Sequence, residues 1–207
     1  MIKAFIFDLD NCIFDNHSIS DETLEPLLRV VDDEIARGTI PLSLRDILMR
    51  EIRIFSPKDF CKRHNLPLET VLARAIDSIV IPDVLSTYGD HEVIAILPGK
   101  KFLVTAGLGV GNYQNQKIDK LGIRQMFEEV HVTGDKGEAF AGILERHNLS
   151  PRECVVLGDN PYSELAAGKE LGMITVQTLR PKVERVDGFD HYIETFHELP
   201  SIIARYA

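Results

Sequence analysis

The sequence has no apolar run approaching the roughly 20 residues that a membrane-spanning helix needs. Its amino terminus carries one lysine and then two aspartates within the first ten residues, which is not the pattern of a signal peptide. Only three cysteines occur, and Cys12, Cys61 and Cys154 form no close pair and no metal-ligand spacing. Cys154 lies in an apolar strand-like run, so a buried reduced thiol is expected there. These absences predict a cytoplasmic protein without membrane contact.

Basic residues are scarce relative to acidic ones, since 23 lysines and arginines face 32 aspartates and glutamates, for a formal charge of −9. This balance argues against a nucleic-acid partner, and an anionic substrate would need local cations or a metal ion. With 207 residues, 44% hydrophobic and 27% charged, the chain suits one large globular domain or a core domain with a smaller insert. The oligomeric state is left open.

Hydrophobic spacing divides the chain into two kinds of segment. Residues 2–7 form a short apolar run typical of a strand that is buried on both faces. The stretch from about residue 15 to residue 88 has helical spacing punctuated by prolines. Helices are predicted there over residues 20–37 and 44–54, from Ser56-Pro57 onward, and over residues 68–81.

From about Pro98 strands and helices alternate. Strands are predicted at residues 102–105, 130–132, 154–157 and 174–176, helices at 112–121, 138–147 and 162–171, then an edge strand at 191–193 and a helix at 196–204. The alternation predicts an α/β fold, a doubly wound parallel Rossmann-like sheet with an inserted α-helical domain. We expect residues 1–14 and 89–207 to form the core, and residues 15–88 to form the insert, called the cap below.

Two aspartates, Asp8 and Asp10, stand where the first predicted strand ends. Carboxylates at the carboxyl end of a parallel strand face the crevice in which open α/β sheets bind ligands. Two like charges so close together are unfavourable unless a cation or a shared proton relieves them. The alternative is an ordinary turn at Asp10-Asn11 without chemistry.

Later strands of the predicted sheet also end in polar residues. Thr105 precedes a glycine-rich segment, residues 106–111, where a hydroxyl and free amides can bind an anion, although an ordinary turn explains the same glycines. No Lys-Ser or Lys-Thr follows them, which excludes a nucleotide-binding P-loop. Lys136 follows the next strand and is either a solvated loop lysine or a partner for carboxylate and phosphate charge.

The strand at residues 154–157 is followed by a third acidic position, Asp159. Asn160-Pro161 is typical of a helix N-cap followed by a proline in the first turn, and Glu164 is predicted on that turn. Capping does not explain Asp159, which is expected at the same sheet edge as Asp8. Several converging carboxylates suit a hard, oxygen-preferring ion such as Mg²⁺.

Together these motifs resemble the haloacid dehalogenase superfamily of phosphotransferases and hydrolases, in the family's order and over nearly the whole chain. Residues 7–11, Phe-Asp-Leu-Asp-Asn, are its most specific signature. Residues 103–105 are similar to the second motif, Lys136 to the third, and residues 156–160 with Glu164 to the fourth. The helical segment after the first motif resembles the cap of one subgroup.

The resemblance implies a Mg²⁺-dependent phosphatase that acts on a small phosphorylated metabolite. Asp8 would be the nucleophile that forms an aspartyl-phosphate, and Asp10 would protonate the leaving group and later activate water. Thr105, Lys136 and the backbone amide of Ala106 would hold the phosphoryl oxygens.

The resemblance also implies the metal site: Asp8, Asp159 and the main-chain carbonyl of Asp10 would hold Mg²⁺, with Asn160 and Glu164 behind them. The sequence departs from the family pattern at four positions without losing a required group: Cys12, Ala106, Gly137 and Glu164.

Two alternatives stay open, a phosphomutase on the same scaffold and a catalytically silent phosphate-binding protein. The cap is expected to set substrate choice. Arg45, Arg50 and Arg53, predicted on one helix, are candidates for that role or form a solvated basic face.

Overall fold

The protein is described by a computed structural model over residues 1–107 and 112–207, so most of the glycine-rich segment, residues 108–111, lies outside the described residues. Within the described part, six parallel strands form one sheet in the order β3-β2-β1-β4-β5-β6. The strands are β1 (Ala4–Phe7), β2 (Lys100–Ala106), β3 (Glu129–Thr133), β4 (Cys154–Gly158), β5 (Ile174–Thr178) and β6 (His191–Ile193). The predicted parallel Rossmann-like sheet is confirmed.

Strand β1 lies at the centre of the sheet because its apolar side chains are buried on both faces. Phe5 and Phe7 pack into one hydrophobic cluster, whereas Ala4 and Ile6 pack into a second cluster. Phe7 pairs with Leu103 of β2 and with Leu157 of β4. The carboxyl ends of these three strands therefore meet at one edge, and the residues that follow them are neighbours.

Helices cover both faces of the sheet between the strands. Their bounds are α5 (Val93–Ile96), α6 (Asn112–Lys120), α7 (Lys136–Arg146), α8 (Glu164–Leu171) and α9 (Leu199–Ile203). In the described part of the chain, no helix combines the length and the apolar character needed to cross a membrane. All three cysteines are buried and unpaired, which for Cys154 was predicted.

The segment predicted to form the cap contains four α-helices, which share a hydrophobic cluster. They are α1 (Glu25–Ala36), α2 (Ser43–Glu51), α3 (Pro57–His64) and α4 (Glu69–Asp77). Leu27, Leu48, Phe60 and Leu72 are fully buried in that cluster. The helix start at Ser56 is confirmed, since its hydroxyl accepts a hydrogen bond from the Asp59 amide. The domain limits at residues 15 and 88 stay a prediction.

Several predicted helix boundaries differ from the structure, and at two of them a side chain binds the backbone where the helix was expected to continue. Helix α8 begins at Glu164, not at the predicted Tyr162, because Asn160 Oδ1 accepts from the Tyr162 amide and forms a turn there. Helix α4 ends at Asp77, and the amide of Ile81 binds Gln116 of the core. Helix α2 ends at Glu51, so Arg53 lies beyond it.

Candidate active site

Asp8 occupies the position directly after β1, and its amide donates to the Leu157 carbonyl at 2.9 Å, which continues the sheet by one residue. Its side chain is buried, and the Lys136 ammonium lies 2.9 Å from Oδ1. Burial raises the pKa of Asp8 to about 7, although Lys136 acts in the opposite direction. Oδ1 accepts no well-directed hydrogen bond from the described residues.

Lys136 is the first residue of α7 rather than a loop residue, because Asp135 caps that helix through the Glu138 amide. Its ammonium is buried between Asp8 and Glu164, whose Oε2 it contacts at 2.8 Å. Burial alone would lower the pKa of Lys136, but the two carboxylates more than offset this, and its pKa lies above the usual value. Lys136 therefore stays a cation at this sheet edge.

Glu164 is fully buried at the start of α8 and supports Lys136 from behind. Its second oxygen, Oε1, accepts from the Asn160 amide at 2.7 Å. Gly158 permits this packing, because a Cβ atom there would lie 2.2 Å from Oε1. The predicted supporting residues Asn160 and Glu164 thus contact each other, and Glu164 reaches Asp8 through Lys136.

Asp8, Asp159 and Glu164 form a buried acidic cluster, with one oxygen of each within 4.8 Å of the others. Burial and the charges of Glu164 and Asp8 raise the pKa of Asp159 well above its usual value. Asn11, which adopts a left-handed φ of 53°, donates to Asp159 at 3.3 Å. A buried donor set made only of carboxylate oxygens fits a hard divalent cation such as Mg²⁺.

The carboxylate of Asp10 is held outside this cluster. Its Oδ1 lies 2.7 Å from the Lys117 ammonium, and its Oδ2 accepts from Gln114 at 2.8 Å. Sequence reasoning missed both partners, which come from α6. The available signal was a lysine three residues after a glutamine on a helix that must pack against the sheet. The predicted metal contact of the Asp10 carbonyl stays a prediction.

The predicted phosphate-binding residues of β2 lie beside Asp10. The Thr105 hydroxyl is buried and lies 3.0 Å from Gln114 Nε2, which also donates to the Ala106 carbonyl at 3.0 Å. Both residues line the same cavity as Asp8 and Lys136. The amides expected to assist them at residues 108–111 lie outside the described residues.

A cavity of about 100 Å³ separates this sheet edge from the cap. Its cap side is mostly apolar, with contributions from Ile19, Leu24, Ile52, Ile54, Phe55, Ala73 and Ile76. Arg53 lines the cavity, but its guanidinium donates to Asp21 at 2.7 Å and to the Ile19 carbonyl at 2.8 Å.

Arg45 pairs with Asp32 and Arg50 is exposed. Neither is among the residues that line the cavity. Arg45 and Arg50 therefore fit the second of the two interpretations, a solvated basic face.

Comparisons with known proteins place the chain in a family. A model of the haloacid dehalogenase-like hydrolase family matches residues 2–172. A glyceraldehyde 3-phosphate phosphatase from Methanocaldococcus jannaschii is 25% identical, over 98% of this chain and 97% of the relative. Its counterpart from Methanopyrus kandleri is 23% identical, over 90% and 88%. The crystal structure of a phosphatase of the same superfamily from Thermococcus onnurineus is 26% identical, with a TM-score of 0.62 over 98% of each chain.

Proposed function

Because the chain belongs to the haloacid dehalogenase-like hydrolase family, we propose that it is a Mg²⁺-dependent phosphatase that hydrolyses a small phosphomonoester through an aspartyl-phosphate. The observation that carries this proposal is the buried carboxylate of Asp8, which lines the cavity beside Lys136. The curated relatives are glyceraldehyde 3-phosphate phosphatases, which supports that compound as the first substrate to test.

In the proposed reaction, an oxygen of Asp8 attacks the phosphorus atom, and the new bond forms as the bond to the leaving alkoxide breaks. Asp10 gives a proton to that alkoxide, which departs as the alcohol. Asp10 then takes a proton from water, and the water oxygen attacks the phosphorus of the aspartyl-phosphate. Inorganic phosphate leaves, and the Asp8 carboxylate is restored.

The phosphoryl oxygens require donors on the side of Asp8 that faces β2 and α7. Lys136 supplies a fixed positive charge, and the Thr105 hydroxyl and the Ala106 amide are the nearby neutral candidates. In a site shielded from water these interactions are stronger than they would be in solvent.

A bound Mg²⁺ would be held by the carboxylates of Asp8 and Asp159 and by the main-chain carbonyl of Asp10. It would supply electrostatic stabilisation of the transferred phosphoryl charge. Glu164 and Asn160 support these ligands, since Glu164 binds both Lys136 and the Asn160 amide. The close approach of Asp8, Asp159 and Glu164 supports this assignment.

We assign substrate choice to the cap, residues 15–88. Its side of the cavity is largely apolar, and Arg53, the only cation on that side among the described residues, is already paired with Asp21. An uncharged remainder therefore fits better than a second phosphate. A phosphomutase needs a bisphosphate, so this feature favours the phosphatase over that alternative.

The test is phosphate release from a panel that contains glyceraldehyde 3-phosphate, other sugar phosphates, nucleoside monophosphates and an aryl phosphate. We expect turnover with Mg²⁺, loss of turnover in excess chelator, and recovery when Mg²⁺ is restored. Asp8→Asn should lower kcat by several orders of magnitude, because an amide is a poor nucleophile. Asp187→Asn changes an exposed carboxylate and serves as the control.

Near-normal release by Asp8→Asn would overturn the mechanism. Phosphate binding by the wild type without turnover of any ester would favour the silent binding protein instead.

A further inference from the structure

Lys117 of α6 is fully buried, which is costly for an ammonium group. It lies 2.7 Å from Asp10 Oδ1 and 3.2 Å from Asn16 Oδ1, with the Tyr113 ring 4.2 Å and the Phe14 ring 5.2 Å away. An apolar side chain would fill such a position at lower cost. The charge of Lys117 therefore calls for a reason beyond packing.

Gln114 lies one helical turn before Lys117 and holds the other oxygen of Asp10. Its Nε2 is 2.8 Å from Asp10 Oδ2 and also contacts the Thr105 hydroxyl and the Ala106 carbonyl, each at 3.0 Å. One amide group thus joins Asp10 to the strand end that we assign to phosphate binding. Both oxygens of Asp10 are fixed from α6, and each keeps a second lone pair.

The side chains of Asp10 and Lys117 differ in how much of their surface is exposed to solvent. Both residues line the cavity, but Asp10 retains 23% of its side-chain exposure and Lys117 retains none. Asp10 is therefore the member of the pair that is open to a substrate or to water.

We propose that Lys117, assisted by Gln114, is a positioning residue that holds the Asp10 carboxylate at the angle and distance needed for proton transfer. This inference rests on the proposed function, in which Asp10 exchanges protons with the leaving group and with water. Proton transfer requires heavy atoms about 2.6–3.2 Å apart, and a carboxylate free to rotate spends little time in that geometry. When Lys117 and Gln114 hold the Asp10 carboxylate, it stays in the geometry that proton transfer requires.

The proposal is tested by Lys117→Met, which keeps the length of the side chain and removes its charge. The variant and the wild type are compared on a series of phosphomonoesters that the wild type hydrolyses, ordered by the acidity of the leaving alcohol. We expect kcat/KM, which reports the steps up to release of the alcohol, to fall about 100-fold for alkyl phosphates, which need a proton on the leaving oxygen, and less than about 10-fold for the best aryl leaving group. Lys120→Met, on the same helix but paired with Asp83, should leave this dependence unchanged.

A double-mutant cycle separates positioning from a structural role. If Lys117 acts only through Asp10, adding Lys117→Met to Asp10→Asn should lower kcat no further. Thermal melts check that each variant is folded, and if Lys117→Met does not fold, Gln114→Met is taken through the same series and cycle.

Two outcomes would overturn the proposal while the phosphatase function stands: equal losses on all leaving groups, or additive losses in the cycle. A wild type without turnover would instead refute the proposed function itself.

Discussion

Replacing Asp90 by asparagine should destabilise the fold more than the loss of any surface charge. The carboxylate of Asp90 and the guanidinium of Arg180 are almost fully buried, with side-chain exposures of 6% and 4%. Both terminal nitrogens of Arg180 donate to Asp90, at 2.7 and 2.9 Å, and its Nε donates to the Cys12 carbonyl at 3.0 Å. The pair thus joins the segment just after the cap to the loop that follows Asp10.

Asp90 also binds the carboxyl-terminal segment, since its Oδ2 accepts from the Thr195 hydroxyl at 2.9 Å and from the Phe196 amide at 2.7 Å. Asp90→Asn keeps the shape of the side chain but leaves Arg180 as a buried charge without its counterion. Losing one member of a buried pair costs about 3–5 kcal/mol. A domain of this size loses about 2–4 °C of Tm per kcal/mol, so we expect a decrease of about 10 °C.

Urea unfolding followed by circular dichroism measures this free energy directly. The matched control is Glu25→Gln. Glu25 accepts hydrogen bonds from Nε and Nη2 of Arg29 at 3.1 and 2.8 Å, but the pair is exposed, Glu25 by 56% and Arg29 by 73%. That change should cost less than about 0.5 kcal/mol. A loss below about 1 kcal/mol for Asp90→Asn would refute the reasoning. Asp90→Leu combined with Arg180→Met should recover much of the lost stability, because no buried charge remains unpaired.

Two further changes test the packing and the electrostatics. Gly158→Ala should displace Glu164 and weaken its contact with Lys136. We expect kcat to fall about tenfold or more and the free energy of unfolding to fall by about 1–3 kcal/mol. Unchanged kinetics would contradict the contact between Gly158 and Glu164. Arg146 lowers the pKa of Glu129 to about 2, against burial and with help from His147 and His131. The ionised Glu129 carboxylate therefore stabilises the fold at pH values above 4.5, its pKa in the unfolded chain. This stabilisation is lost as the pH falls toward 2. The free-energy difference between wild type and Glu129→Gln should be about 1 kcal/mol at pH 5 and smaller at pH 3, and equal differences would exclude the linkage.

The sequence by itself determined the sheet and the ends of its strands. Apolar runs too short for helices, alternating with helical spacing, indicate buried parallel strands. In such a sheet the residues after neighbouring strands must meet, so the proximity of Asp8, Asp159 and Lys136 follows from local patterns alone. Ser56-Pro57 likewise set the start of α3, because capping depends only on adjacent residues.

Only the tertiary structure decided which buried charges face each other. Periodicity indicates which side of a helix is buried, but not which residue lies opposite it, so the contacts of Lys117 and Gln114 with Asp10 could not be read from spacing. The same holds for Asp90 and Arg180, which are far apart in the chain. Arg53 fell outside its predicted helix because α2 ends at Glu51. Hydrophobic patterns are local, whereas ion pairs depend on the register and crossing of elements that are distant in sequence.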